Sequence, residues 1–357
     1  MLSRPIQAFI NRDAIRNNVA IIQKLSGSSK VFGVVKCDGY GHGLKRIYPA
    51  LSELDGFAVL EIEAACYLRN LDTRRPILLL EGFFSAEELN RCLEFQLDVV
   101  VHSEEQVELI EAAESSKSLR VFLKVNSGMN RLGIRSDLVV RCYNRLERCE
   151  AVNFVTAMTH YADADVARGV DRQNINFSAS LGSLSLTTSK SNSASLIRSG
   201  SKQENWVRPG IMLYGSSPIA DVTAASLGLK PAMTLKSKII AIQHLKAGDR
   251  VGYGGTFTAK SDMRIGIVAG GYGDGYPRSA PSGSPILVNG VRVETVGRVS
   301  MDTLAVNLTG TPSANVGSDI VLWGEGLPIE ELAHWANTIS YELLTRVNRR
   351  VPFVCSD

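Results

Sequence analysis

Eight short apolar runs recur along the first 214 residues, and most segments between them carry apolar residues at helical spacing. Runs that are apolar throughout are typical of parallel strands covered on both faces. Strands that alternate with helices predict a parallel α/β fold, and eight such units make a (β/α)8 TIM-type barrel. A doubly wound open sheet is the alternative that periodicity leaves open. The runs are 31–35, 56–60, 76–80, 97–101, 119–125, 154–159, 183–188 and 206–214.

The pattern changes after the eighth run, where apolar residues alternate with polar ones and turn signals recur. The longest alternating stretch is 233–245, and Asn289-Gly290 between two short apolar runs predicts a β-hairpin. We therefore predict two domains, an α/β barrel over 11–230 and a mostly antiparallel β domain over 231–357. The segment 1–10 is predicted to join the β domain as an N-terminal strand.

Polar side chains gather at the ends of the predicted barrel strands. Lys36 follows the first run directly and leads into a loop that contains Gly39, Gly41 and Gly43. Barrel enzymes build their active sites at the C-terminal ends of the strands. A buried lysine loses its charge readily, and its neutral amine forms Schiff bases with carbonyl groups, so Lys36 is the first candidate for a catalytic residue. Other polar residues at or just after run ends, or within the eighth run, are Lys124, Asn126, His160, Asn192, Ser193 and Arg208.

The charge balance and the cysteines argue against several kinds of function. The chain has 39 basic and 36 acidic residues without charged blocks, which argues against nucleic acid as a partner. No apolar run reaches the roughly 18 residues that span a bilayer, so no membrane partner is expected. The opening MLSRPIQAFINR lacks the apolar core of a signal peptide, which predicts a cytoplasmic protein. The six cysteines form no C-x-x-C pair, so no metal site is expected.

Nine motifs span nearly the whole chain in a fixed order: VVKCDGYGHG, LKVNSGMNRLG, MTHYADAD, SNSAS, WVRPGIMLYG, VGYGGTFTA, GYGDGYPR, GRVSMDT and YELLTRVNRRVP. In wording and order they resemble the alanine racemase family. The resemblance implies a fold-type III isomerase that interconverts L- and D-alanine as a homodimer, with pyridoxal 5'-phosphate (PLP) as cofactor. The LKVNSGMNRLG wording resembles the catabolic proteobacterial isozymes, and D-alanine biosynthesis for the cell wall stays open as the role.

The resemblance also implies how the cofactor is held. Lys36 matches the lysine that forms the Schiff base with PLP. Arg208 matches an arginine that contacts the pyridine nitrogen, and since a guanidinium cannot accept a proton it should keep that nitrogen unprotonated. The ring is then a weaker electron sink, which favours racemisation over transamination. The other implied cofactor contacts are Tyr40, His160, Asn192, Ser193, Gly210, Ile211 and Tyr341.

Racemisation needs proton transfer on both faces of one planar centre, hence two acid/base groups. The resemblance implies Lys36 for one face and Tyr253, supplied by the partner subunit, for the other. A free tyrosine has a pKa of about 10, so Tyr253 needs activation by positive neighbours, and His160 with Arg208 behind it is the candidate.

Further matched positions concern the substrate. Arg131, with the backbone of Met301 of the partner subunit, suits recognition of the substrate carboxylate. Lys124 matches a lysine that is often carbamylated in the family, giving an anion that holds Arg131. Positions at the substrate entrance are matched by Asp165, Tyr272, Arg278, Arg298 and Asp302.

The alternatives are a racemase with broader amino-acid specificity, a barrel-type PLP decarboxylase and a non-catalytic PLP carrier. Arg208 argues against the decarboxylase, and the predicted β domain argues against the carrier. Departures from the family wording, such as Cys37 and Gly273, remove no catalytic group.

Overall fold

The computed structural model describes residues 4–72, 74–201 and 204–356, so residues 1–3 of the predicted N-terminal strand lie outside it. The first strand is β1 (Gln7–Asn11), which precedes the barrel. The next eight strands are parallel and close into a barrel in chain order, which confirms the predicted barrel and excludes the open sheet. They are β2 (Lys30–Val34), β3 (Gly56–Val59), β4 (Ile77–Leu79), β5 (Asp98–Val101), β6 (Leu119–Lys124), β7 (Val152–Met158), β8 (Thr187–Ser189) and β9 (Trp206–Val207).

The helices of the barrel begin at side-chain caps where the sequence provides them. Asn11 accepts the N–H of Ala14 at 2.9 Å, and Ser85 and Ser103 cap two later helices in the same way. The helical segments are α1 (Arg12–Ser26), α2 (Lys36–Tyr40), α3 (Leu44–Ile47), α4 (Ile62–Leu71), α5 (Ala86–Glu94), α6 (Glu104–Glu111), α7 (Val139–Glu147), α8 (Asp171–Leu181) and α9 (Ser193–Ser199). None of the described helices has the length and apolar character needed to cross a membrane.

The eighth barrel strand is much shorter than the predicted run 206–214. It ends at Val207, and residues Ile211–Tyr214 form a 3₁₀ helix instead. Pro209 has no N–H to donate to a neighbouring strand, so the ladder stops there. The break directs Arg208 and Gly210 to the mouth of the barrel rather than along a strand.

The second domain is built on a mostly antiparallel sheet. The thirteen-residue strand β10 pairs with β13 through its second half and with β17 through its first, so that six strands close a ring. The predicted hairpin is confirmed, because Val288 pairs with Val291 across Asn289-Gly290. The strands of the second domain that follow the barrel are β10 (Met233–Leu245), β11 (Arg250–Val251), β12 (Phe257–Thr258), β13 (Met263–Ala269), β14 (Pro285–Val288), β15 (Val291–Val296), β16 (Thr303–Asn307), β17 (Asp319–Trp323) and β18 (Phe353–Ser356).

The strand β1 lies in this second sheet, antiparallel to β10 and parallel to β18. Two short helices, α10 (Ile329–Trp335) and α11 (Ser340–Thr345), lie between β17 and β18. The helix α11 contacts α2, so the second domain reaches the mouth of the barrel. The boundary between residues 230 and 231 stays a prediction.

Candidate active site

A cavity of about 600 Å³ opens at the C-terminal ends of the barrel strands. Its lining includes residues from β2, β6 and β9 or directly after them, and from α11. Eleven of the residues singled out in the sequence line it: Lys36, Tyr40, Lys124, Arg131, His160, Asn192, Ser193, Arg208, Gly210, Ile211 and Tyr341. The structure thus brings together the lysine at the first strand end and the polar residues at the others.

The loop that carries Lys36 has an unusual backbone. Cys37, Asp38, Gly39 and Tyr40 all have φ between 50° and 64°, a left-handed turn of four successive residues. Residues other than glycine enter this region at a cost of about 1–2 kcal/mol each, so surrounding contacts must hold the turn. The Asp38 carboxylate accepts the N–H of Leu44 at 2.7 Å and contributes to that support.

His42 supports the same loop by hydrogen bonds. Its Nδ1 lies 3.0 Å from the carbonyl oxygens of both Gly39 and Tyr40, and its ring packs on Tyr214. Burial lowers the pKa of His42 to about 4, so the ring is neutral at pH 7 and Nδ1–H donates to these carbonyls. It does not line the cavity, which agrees with a hydrogen-bonding role in the loop.

Arg208 is buried at the base of the cavity. Its guanidinium donates to Ser189 Oγ, to the Thr159 carbonyl at 2.6 Å and to the Lys190 carbonyl at 3.2 Å. Burial lowers its pKa to about 10, which still leaves it charged at pH 7. A cation held by two carbonyls and a hydroxyl needs an anion nearby.

Glu204 supplies that anion, although no sequence pattern marks it as a site residue. It is buried, and its carboxylate accepts the backbone N–H groups of Lys190 and Ser191 and the Ser191 hydroxyl. Its negative charge acts to raise the pKa of Arg208, against the effect of burial. In the sequence, Glu204 stands in a polar segment that looks like surface loop, and only tertiary packing shows its role.

The other charges of the cavity are mainly positive. Burial, followed by the positive charges of Arg208 and Arg131, lowers the pKa of Lys124 to about 8. Burial and the charge of Arg208 lower the pKa of His160 to about 3, so His160 is neutral at pH 7. Glu81, which no sequence motif indicated, also lines the cavity and raises the pKa of Lys124. Such a site favours an anionic cofactor and an anionic substrate.

One side of the cavity fits a phosphate group. Ser193 Oγ accepts the N–H of Gly210 at 3.0 Å, and neither Ser193 nor Ile211 donates its own N–H to a partner in the described part of the chain. A Cβ on Gly210 would lie 2.5 Å from the Tyr40 hydroxyl, so glycine is needed for this close approach. Free N–H groups beside hydroxyls are what a phosphate requires, and Lys36 lines the same cavity, which together fit PLP.

Seven predicted residues do not line this cavity. Tyr253 and Met301 have exposed fractions of 69% and 52%, and both lie in the β domain. Asp165 lies in the barrel and is exposed; Tyr272, Arg278, Arg298 and Asp302 are exposed in the β domain. One chain therefore brings together the cofactor-side residues and leaves the predicted second base outside.

Comparison with known proteins agrees with both parts of this structure. The family model for the alanine racemase N-terminal domain matches residues 10–218, and the model for the C-terminal domain matches residues 232–355. The chain belongs to the alanine racemase family. It is 49% identical to an alanine racemase of Nitrosomonas eutropha over 98% of this chain and 99% of that protein, and 48% identical to one of Nitrosomonas europaea over 99% of each.

Solved alanine racemase structures have the same architecture. The biosynthetic enzyme of Pseudomonas aeruginosa superposes with a TM-score of 0.95 at 42% identity, over 99% of this chain and 100% of that one. The enzyme of Acinetobacter baumannii superposes with a TM-score of 0.94 at 36% identity, with the same coverage of both chains. The relation to catabolic isozymes stays a prediction.

Proposed function

We propose that the protein interconverts L- and D-alanine as a PLP-dependent homodimer in the cytoplasm. The observation that carries the proposal is the convergence of Lys36 and Arg208 in one positively charged cavity of an alanine racemase fold. The presence of the second domain supports a racemase over a PLP carrier, which would need the barrel alone.

PLP, when bound, would withdraw electrons from the substrate Cα and make its proton acidic. Lys36 would hold the cofactor covalently, and Arg208 would face its ring nitrogen. The phosphate would take the free N–H groups of Ser193 and Ile211 and the hydroxyl of Tyr40. Gly210 allows that hydroxyl to approach. The remaining contacts would come from His160, Asn192 and Tyr341, which line the same cavity.

Two residues would move the proton. The Lys36 amine serves one face of the substrate Cα, and the Tyr253 hydroxyl of the partner subunit serves the other. Tyr253 is 69% exposed in the single chain, so its side chain is accessible to a partner subunit, as this assignment requires. In the dimer, neutral His160 would lie near the Tyr253 hydroxyl. It would transmit the effect of the Arg208 charge to that hydroxyl.

The substrate carboxylate would bind between Arg131 and the backbone N–H of Met301 of the partner subunit. Carbamylated Lys124 would hold Arg131 by an ion pair, and it would replace the repulsion between two cations by attraction. Tyr272 and Asp302 of the partner subunit would narrow the entrance. A racemase that accepts other small amino acids is the second candidate, since these contacts recognise only the carboxylate and the amine of the substrate.

The test is to incubate the purified protein with L-alanine in deuterated water and to follow Cα exchange, D-alanine and the absorbance of the bound cofactor. Lys36→Ala should lose both the absorbance and exchange. Lys45→Ala, at an exposed position of the neighbouring α3, is the matched control and should retain both. Racemisation by Lys36→Ala without added amine, or release of carbon dioxide by the wild type, would contradict the proposal. The same assay on a panel of small amino acids decides the substrate range.

A further inference from the structure

Two loops of the β domain are joined directly to each other. We call residues 270–276 the Tyr272 loop and residues 299–303 the Met301 loop. Their backbones are connected by three hydrogen bonds, from Gly270 N–H to the Asp302 carbonyl, from Tyr272 N–H to the Ser300 carbonyl and from Gly273 N–H to the Met301 carbonyl, at 2.9–3.1 Å. The two loops therefore behave as one unit.

Glycine permits this close contact. A Cβ on Gly271 would lie 2.6 Å from the Met301 carbonyl carbon and would also meet the Ser300 carbonyl oxygen. Both are backbone atoms that cannot turn away as the end of a side chain can. The separation of the loops is thus fixed by the backbone itself.

Arg350 ties this unit to a buried carboxylate. Its Nε lies 2.8 Å from Asp274 Oδ1, while its Nη2 lies 2.8 Å from Asp302 Oδ1 and 3.2 Å from the Met301 carbonyl oxygen. The Asp274 side chain is fully buried, and Arg4 Nη1 also lies 2.8 Å from its Oδ1. Two guanidinium groups and two carboxylates thus compensate one another, so this cluster has no net charge to attract a ligand of its own.

The cluster determines how Met301 is presented. The Met301 carbonyl accepts from both Gly273 and Arg350, which fixes the orientation of that peptide group. In contrast, the N–H of Met301 donates to no partner in the described ranges, and about half of the Met301 side chain is exposed. A backbone donor held rigidly and left free by its own chain is suited to an acceptor from outside that chain.

We propose that Arg350 and Asp274 are positioning residues for substrate recognition, and that they act on the active site of the partner subunit by fixing the Met301 N–H. This proposal rests on the proposed function, in which that N–H binds the substrate carboxylate. The carboxylate is present in the ground state and the transition state alike, so loss of its positioning should raise KM and leave kcat nearly unchanged.

The test uses Arg350→Lys. Lysine keeps the positive charge beside Asp274, but one ammonium group cannot span Asp274, Asp302 and the Met301 carbonyl together. We expect KM for alanine to rise roughly tenfold in both directions, as for the loss of one charge-assisted contact, with kcat within about twofold. Asp274→Asn should change KM in the same sense.

Arg264→Lys is the matched control. Arg264 also donates to two loop carbonyls, those of Pro312 and Ala314 at 2.9 and 2.8 Å, and it touches neither the Tyr272 loop nor the Met301 loop. Its variant should keep the wild-type KM. Thermal melting of all variants with cofactor bound shows that each is folded.

Mixed dimers then show in which subunit Arg350 acts. A dimer of one Lys36→Ala chain and one Arg350→Lys chain contains one site with an intact Lys36 and, from the partner, an intact Arg350. We expect that dimer to show the wild-type KM. A mixed dimer with the same high KM as the Arg350→Lys homodimer would overturn the proposal, and so would an unchanged KM in the Arg350→Lys homodimer. An active Lys36→Ala homodimer would instead refute the proposed function, so the two failures are distinguishable.

Discussion

Carbamylation of Lys124 is a prediction that follows from the pKa of its amine. Burial and the charges of Arg208 and Arg131 lower the pKa of this lysine from 10.5 to about 8. At pH 7 a group with that pKa is neutral in about one molecule in ten, against about one in 3,000 for an ordinary lysine. The amine that can react is therefore about 300-fold more abundant than in an unperturbed lysine.

The reaction would turn Lys124 from a cation near Arg131 and Arg208 into an anion. The neutral Nζ of Lys124 attacks the carbon of carbon dioxide, an N–C bond forms as one C=O π bond opens onto its oxygen, and one proton passes from the nitrogen to solvent. The carbamate then faces Arg131 and Arg208 and replaces like-charge repulsion by attraction.

The unmodified lysine also has a consequence for stability. Its folded pKa lies below its unfolded pKa, so a protonated Lys124 costs about 3 kcal/mol of folding free energy below pH 8. That cost is relieved as the pH rises from about 8 to 10.5, where the unfolded chain still binds the proton and the folded chain does not. A carbamylated protein should lack this rise in the free energy of unfolding.

The assay is ¹³C NMR of protein equilibrated with labelled bicarbonate near pH 8, with denaturant unfolding across the alkaline range as a second measurement. We expect one slowly exchanging carbamate carbon in the wild type and none in Lys124→Met. Absence of that signal in the wild type, together with a free energy of unfolding that rises between pH 8 and 10.5, would refute the argument.

Two further predictions concern the second base and the buried anion. Tyr253→Phe should reduce initial-rate Cα deuterium exchange of one enantiomer more than that of the other, because only one face loses its acid/base group. Equal losses of Cα exchange for both enantiomers would contradict that assignment. Glu204→Gln should lower the free energy of unfolding by about 2–3 kcal/mol in urea, because buried charge-assisted bonds to Ser191 are lost beside a buried cation. It should also increase the share of turnovers that end in transamination, measured as pyridoxamine phosphate formed, as Arg208 loses its support. A stable Glu204→Gln protein with an unchanged share of transamination would show that this carboxylate does not support Arg208.

The apolar runs predicted the barrel because each strand is covered on both faces, and that periodic signal is local in the sequence. The ends of elements were less predictable. The eighth strand stops at Val207 since Pro209 interrupts the ladder, although the apolar run continues to Tyr214. Here the lack of one backbone N–H ends the strand, although several apolar side chains follow.

Two features of the site follow from no pattern of residue types in the sequence. The left-handed turn from Cys37 to Tyr40 includes three residues other than glycine, and it is supported by the Asp38 side chain within it and by the nearby His42. Glu204 is buried by the fold, and its charge raises the pKa of Arg208, which its place in a polar segment of the sequence does not indicate. The resemblance to a family indicated Tyr253, whereas the fold of one chain leaves this residue in solvent.

The position of β1 has a consequence for the order in which the molecule is assembled. This strand lies between β10 and β18, whose paired residues follow about 230 and about 345 residues later in the chain. Chains fold from the N-terminal part during synthesis, and distant pairings form slowly. The barrel strands from Lys30 to Val207 can therefore close on the ribosome while β1 still has no neighbour. The earliest of the described strands to be synthesised is then among the last to be paired, and until that moment its open edges are where a chaperone or another nascent chain can bind.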